Sequence, residues 1–297
     1  MTKKSAFSML ELIFVIVIIG ILGKFGVELL AQSYQNFLHT KINNKLQDQS
    51  SIAVEFIAKR LSYRIPDSVI AKEDDNTTFV GIQSIDPNRN YRTLEWVQRD
   101  IDGWRGNTRP FWSGIADLNN SVAAGAAIDT PETNTTEINN LIQILSDTNS
   151  TINDAAIYFI GSNNDVNSSY GWQGAAVAGV GAAMHRITAF AQNSLNSNFA
   201  GVDIYEYYQL SWTANAVAIE DDGKGNGTYN LVFYYDYQPW NGERYTDNVA
   251  KKSTIMENVA TFQFRAVGSM IKIQVCVKSD LINNAEGYAL CKEKTVF

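Results

Sequence analysis

Histidine is almost missing from this chain: two in 297 residues, His39 and His185. Neither lies in a recognisable nucleophile motif. No glycine-rich phosphate loop follows a strand, and no paired-acid motif stands out, so catalytic residues are assigned to none. A membrane-anchored enzyme is the least supported class. Cysteine is equally scarce, with Cys276 and Cys291 alone and no histidine near them, which excludes a zinc site. No long Lys/Arg run occurs; Lys251-Lys252 is the densest lysine pair beyond the N-terminal segment. With a net charge of −7, the chain is disfavoured as a nucleic-acid binder. Five prolines are present, the first at Pro66, so nothing of that kind interrupts a helix upstream.

What is there begins at the N-terminus. Lys3 and Lys4 precede Ser5, Ala6 and Phe7, and an apolar run follows with one acid in it, Glu11. Residues 12–22, LIFVIVIIGIL, carry no charge. With their flanks they make about one bilayer span, residues 7–30. A carboxylate in such a segment costs on the order of 2.5 kcal/mol or more at the bilayer centre. It therefore calls for a partner. A secretory signal peptide should close with a small-x-small cleavage site downstream, and Gly-Lys-Phe-Gly-Val-Glu fits that poorly. A plain anchor explains the lysines and the apolarity but leaves Glu11 unexplained.

The pattern Lys3-Lys4, Ala6, Phe7-Ser8-Met9-Leu10-Glu11-Leu12 and the apolar tract through Leu22 resembles the type IV prepilin-like family. The resemblance implies a leader at 1–6, cut after Ala6 by a prepilin peptidase, with N-methylation of the new terminus, Phe7. It implies that Glu11 docks the subunit against other pilin-like subunits. Removing two lysines would take the net charge from −7 to −9. Two departures stand out. Ala6 occupies a position that is usually Gly, and the stem proline common in pilins is absent, with Glu28 near that place and Gly20, Gly23 and Gly26 as local weak points.

The helix is expected to continue past the membrane. Leu30, Tyr34, Leu38, Ile42 and Leu46 recur every four residues, and Ala53, Phe56, Ile57, Leu61 and Ile65 continue the stripe up to Pro66. A helix from Phe7 to about Arg64 would reach roughly 85 Å. The expected organisation is a stem helix over 7–65 and a globular head over 66–297. Short strands are expected around Phe79–Ile85, Tyr91–Trp96 and Ala156–Ile160, and a short helix at Glu137–Leu145. The middle of the chain reads as an insertion rich in polar loops. In the last third, Tyr208, Leu210, Trp212, Ala214 and Ala216 alternate in one strand, and Tyr229, Leu231, Phe233, Tyr235 and Tyr237 share a face of the next. Ala260, Phe262 and Phe264 mark a third strand; Ile271, Ile273, Val275 and Val277 mark a fourth. The fold class is α+β: a long helix, membrane-spanning at its start, against an antiparallel sheet.

The closing order of two strands and a basic-apolar tail, with the run Gln47–Pro66, is similar to the larger minor subunits, the J-type pseudopilins of type II secretion and the W-type minor pilins of type IV pili. The resemblance implies a structural subunit held in the bacterial inner membrane, head in the periplasm, then in a pilus or pseudopilus filament. The alternative is an adhesin or receptor head displayed on such a filament. In that oxidising compartment Cys276 and Cys291 are expected to pair, a bridge of roughly 3 kcal/mol, the alternative being two free thiols. Pairing would staple the last segment to the sheet from its outer side.

Asp221-Asp222 has the oxygen ligands a Ca²⁺ ion wants but not an EF-hand spacing, and a hairpin turn uses the same residues; no metal or cofactor is assigned. The tyrosines and tryptophans of 205–212 and 229–240 suit core packing better than sugar stacking. Six asparagines fit Asn-x-Ser/Thr, and Asn76, Asn119, Asn134, Asn149 and Asn167 also carry an acid two residues before. That form resembles the sequon of bacterial N-glycosylation systems and marks these five as candidate glycosylation sites. The alternative is that Asn/Asp/Thr-rich loops generate the motif by composition.

Overall fold

A computed structural model describes residues 9–73, 77–121, 127–225, 227–279 and 289–297. Helix α1, Met9–Leu61, spans 53 residues, about 80 Å at 1.5 Å per residue. It stops three residues short of the expected Arg64, because the chain bends before the 3-10 turn Pro66–Ser68. Its last turn is held from outside: the Arg64 guanidinium donates to the carbonyls of Leu61 at 2.9 Å, Phe297 at 3.3 Å and Ser269 at 3.2 Å. These bonds satisfy a helix-end carbonyl and tie the stem to the head.

Eight strands form one antiparallel sheet. They are β1 (Ile70–Glu73), β2 (Phe79–Gly81), β3 (Tyr91–Gln98), β10 (Thr213–Asp221), β11 (Tyr229–Tyr237), β12 (Lys251–Val267), β13 (Met270–Lys278) and β14 (Ala289–Val296). The order is β14-β13-β12-β11-β10-β3-β1-β2. Residues Ala53, Val54, Ile57, Ala58 and Leu61 of the helix pack on Leu231, Phe233, Val259, Ile273 and Val275 of one sheet face. Alternation puts every second residue of β13 there, as the sequence predicts.

Strands β3 and β10 pair directly, Gln98 opposite Thr213, yet 99–212 lies between them in sequence. That segment is an insertion between neighbouring antiparallel strands. It contains α2 (Ile101–Arg105), β4 (Ala127–Asp129), α3 (Thr135–Leu145), β5 (Ala156–Phe159), β6 (His185–Arg186), β7 (Ala189–Ala191), β8 (Ser194–Asn196) and β9 (Tyr208–Ser211). Its strands make two small sheets, β4-β8-β7 and β6-β5-β9. It covers the sheet face opposite α1, where its Tyr158, Tyr170 and Trp172 join Tyr237 of β11 and Trp240 in one buried cluster. It also keeps a core of its own, with Trp112, Ile138, Ile157, Phe159 and Tyr208.

Three expectations need correction. The strand read through Tyr208–Ala216 is two strands in different sheets, breaking at Trp212 where β9 leaves β5 and β10 joins β3. The face shared by Tyr229–Tyr237 is interrupted. Asp236 has φ +60° and the β10–β11 register shifts beside it, so Tyr237 turns to the insertion side while Phe233 stays under the helix. The expected strand Phe79–Ile85 ends at Gly81 and gives way to a 3-10 turn, Ile82–Ser84.

Candidate functional site

Helix α1 has two environments. From Leu46, 6% exposed, to Leu61 its inner face is buried on the sheet. From Met9 to Leu38 its apolar side chains stand clear of the head; Leu30 is 70% exposed. The upper half of the four-residue stripe, Leu30, Tyr34 and Leu38, thus has no cover among the described residues, while Ile42 begins the packed part. This is the one helix among the described residues that is long and apolar enough to cross a membrane. Glu11 sits in its first turn, where the helix dipole favours a negative charge. Ala6 and Phe7 lie outside the described residues, as does Asn76.

Where the helix meets the head, the last strand supports it. Glu55 and Lys294 pair at 2.5 Å across the α1–β14 contact. Cys276 and Cys291 face each other in the β13–β14 register and form a disulfide with a Cα–Cα distance of 4.0 Å. Their neighbours Val275 and Val277 point to the helix, so the bridge lies on the outer face, as expected. It locks the strand on which the stem rests.

The candidate sequons resolve into local structure. Asp117 accepts the Asn119 amide at 2.9 Å, and the Ser121 amide and hydroxyl both return to the Asp117 carbonyl, at 2.8 and 2.5 Å. Asp165 repeats this turn: it accepts the Asn167 amide at 3.1 Å, and Ser169 bonds back to the Asp165 carbonyl. Bonds from Asn120 and Asn119 hold the Asp117 carboxyl below the usual carboxylate range, and bonds from Asn167 and Ser168 do the same for Asp165. The acid and the serine of the motif are therefore turn-forming groups, independent of any modification. Asn119, Asn149 and Asn167 are exposed. Asn134 instead caps α3, accepting from the Glu137 amide at 3.2 Å. Asp221 and Asp222 are likewise spent on a turn, accepting the amides of Gly223 and Lys224 at 3.0 and 2.9 Å.

No known protein decides among these readings. The chain matches no family model, no curated protein and no solved structure.

One feature escaped the sequence. A cleft of about 320 Å³ opens on the insertion between the Trp104–Ile115 segment and β9. Arg99 and Gln209 line it, with Trp104, 38% exposed, tilted against Trp112 at 4.6 Å between centroids. Trp112 in turn donates to Asp100 at 3.1 Å, and Asp100 caps α2 through the Gly103 amide at 3.0 Å. Gly103 is required: a Cβ there would lie 2.0 Å from the Asp100 carboxylate. Burial pushes the Asp100 carboxyl up to about 6, against the bonds from Gly103 and Trp112. Arg99 Nε and Gln209 Oε1, buried atoms of two lining residues, have no hydrogen-bond partner among the described residues. Sequence periodicity carries no trace of this, since Arg99 precedes α2 and Gln209 sits far along the chain on β9.

Proposed function

We propose that this chain is a minor structural subunit of a pilus-like filament, a type II secretion pseudopilus or a type IV pilus, assembled through its N-terminal helix. The observation that carries the reading is the division of α1: an uncovered apolar half continuous with a half seated on an antiparallel sheet. A helix built this way holds a head outside a bilayer and later packs its apolar half against neighbouring helices, because both settings exclude water. The segment Lys3–Leu22 supplies the processing pattern. A prepilin peptidase cutting between Ala6 and Phe7 frees an amine, and that amine on one subunit offsets the Glu11 carboxylate of another. Uncovered Leu30, Tyr34 and Leu38 extend the lateral contact below the membrane segment. The Cys276–Cys291 bridge fits the periplasmic side, where thiols are oxidised.

Mass analysis of the mature protein tests the reading. The expected N-terminus is methylated Phe7; a start beyond residue 23 would identify an ordinary signal peptide and end the proposal. Glu11→Ala is expected to insert in the membrane normally and to fail in co-assembly with other subunits.

A further inference from the structure

We propose that the cleft between the Trp104–Ile115 segment and β9 binds a carboxylated sugar, a uronic-acid unit of an acidic polysaccharide. This goes beyond the assembly role and does not rest on it. The chemistry of the lining decides the ligand class. Arg99 brings a guanidinium that no carboxylate of the described residues pairs with, and its Nε is buried without a hydrogen-bond acceptor. A buried donor left unsatisfied is costly, so a ligand that supplies an acceptor is favoured. A planar guanidinium matches a carboxylate with two parallel bonds. Gln209 is also in the lining, and a side-chain amide pairs readily with a sugar hydroxyl. Trp104, 38% exposed, presents an indole that leans at 52° against Trp112, which is itself anchored by Asp100. Such a fixed aromatic face takes the C–H face of a pyranose ring. The cleft volume, about 320 Å³, is at the small end of ligand pockets and suits one or two sugar units.

A peptide with a free C-terminal carboxylate would use the same guanidinium. An extended peptide also needs free main-chain groups to pair with. Here those groups are occupied: Ile160 N donates to Tyr207 O, Tyr208 N to Gly114 O, and Asp100 N to Leu210 O, all at 2.8–2.9 Å. Ser113 N donates to the Thr133 hydroxyl at 3.1 Å. What remains unspent is side-chain chemistry, one cation, one amide and an indole, and that set reads a sugar acid.

The test uses the full-length protein in detergent micelles, titrated with trigalacturonate while tryptophan fluorescence and calorimetry are followed. Saturable binding is expected, with a shift in indole emission. Neutral maltotriose and the tripeptide Gly-Gly-Ala are expected to bind at least tenfold more weakly. Arg99→Met and Trp104→Ala are each expected to weaken trigalacturonate binding tenfold or more, with thermal midpoints near the parent value. Gln209→Leu, which removes only the amide, serves as a third variant if either of these unfolds. Absence of saturation at millimolar sugar, equal binding of the tripeptide, or undiminished affinity in a folded variant would each overturn the proposal. Because none of these readouts involves processing or filaments, the assembly role stands or falls separately.

Discussion

The Lys72 ammonium lies 2.6 Å from the Glu95 carboxylate, and both side chains are sealed in the head, at 2% and 1% exposure. The pair sits on the sheet face under the insertion. Glu95 also accepts the Tyr237 phenol at 2.8 Å, and Lys72 stands 5.2 Å from the Tyr245 ring centre. Burial and the Glu95 charge push the Tyr237 phenol well up, so it remains a donor at any physiological pH. Removing one partner leaves a bare charge in a low-dielectric site, which costs about 3–5 kcal/mol. Lys72→Met alone should lose about that much in chemical denaturation. The double variant Lys72→Met/Glu95→Gln, which removes both charges and keeps an acceptor for the Tyr237 phenol, should recover most of it. A single variant that costs under about 1 kcal/mol would show that the native pair is not ionised.

Asp236 joins the insertion to the sheet. Fully buried, its carboxylate accepts from the Ser146 hydroxyl at 2.9 Å, from the Asp147 and Thr148 amides at 2.7 and 2.9 Å, and from the Ser150 hydroxyl at 3.3 Å. Asp236→Ala strands these donors and should destabilise the head by about 2–4 kcal/mol. Hydrogen exchange should show the 146–150 segment opening first; uniform loss of protection across the whole head would contradict this.

Two buried groups make opposite demands on pH. Burial pushes His185 down to about 4, among Phe159 and Phe199 at 5.5 and 5.6 Å. The unfolded chain takes that proton near the ordinary value of 6.5 and the folded chain does not, so stability falls as pH drops from 6.5 to 4. Asp100, pushed up to about 6 from 3.8, holds its proton in the folded state over much of the same range, so stability rises as pH drops from 6 to 3.8. Each effect is about 3 kcal/mol at about 1.4 kcal/mol per pH unit, and over the shared window they largely cancel. Asp100→Asn should therefore steepen acid destabilisation between pH 6 and 4, and His185→Phe should reduce it. Identical pH slopes for both variants and the parent would refute the assignment.

The disulfide acts on the strand that carries the stem. Cys276→Ser/Cys291→Ser should cost about 3 kcal/mol, by the chain-entropy argument for a 15-residue separation. Calorimetry under oxidising conditions measures it. Since Glu55–Lys294 links β14 to α1, the loss should be accompanied by faster proteolysis near Ile52. Unchanged cleavage there would mean that β14 is held by its ladder alone.

How much was legible follows from what each residue reports. The stem was readable because its stripe repeats over dozens of residues and no proline interrupts it before Pro66. Strands β11 to β13 were readable because one face is buried, which enforces alternation. Asp236 shows where that stops: a single left-handed residue reverses the facing of Tyr237, and nothing in the local pattern announces it. The break at Trp212 is similar, since both flanking strands alternate and only their partners differ. The insertion was opaque because its short strands and 3-10 turns lack length for any period to show. Lys72 and Glu95 look like surface charges in sequence, and only the layer above them makes them core. The cleft was invisible for the same reason, as its walls come from segments distant along the chain.

The pairing of Gln98 with Thr213 means that the chain leaves the sheet and returns to it at a single point. Such a seam works as a socket: what is plugged in can grow or be exchanged without moving the stem or its seat. The replacement must still roof the aromatic face of Tyr237 and Trp240, or the sheet is left wet on one side. The surface shown by the insertion and the surface shown by the stem can then diversify at different rates, on opposite sides of one sheet.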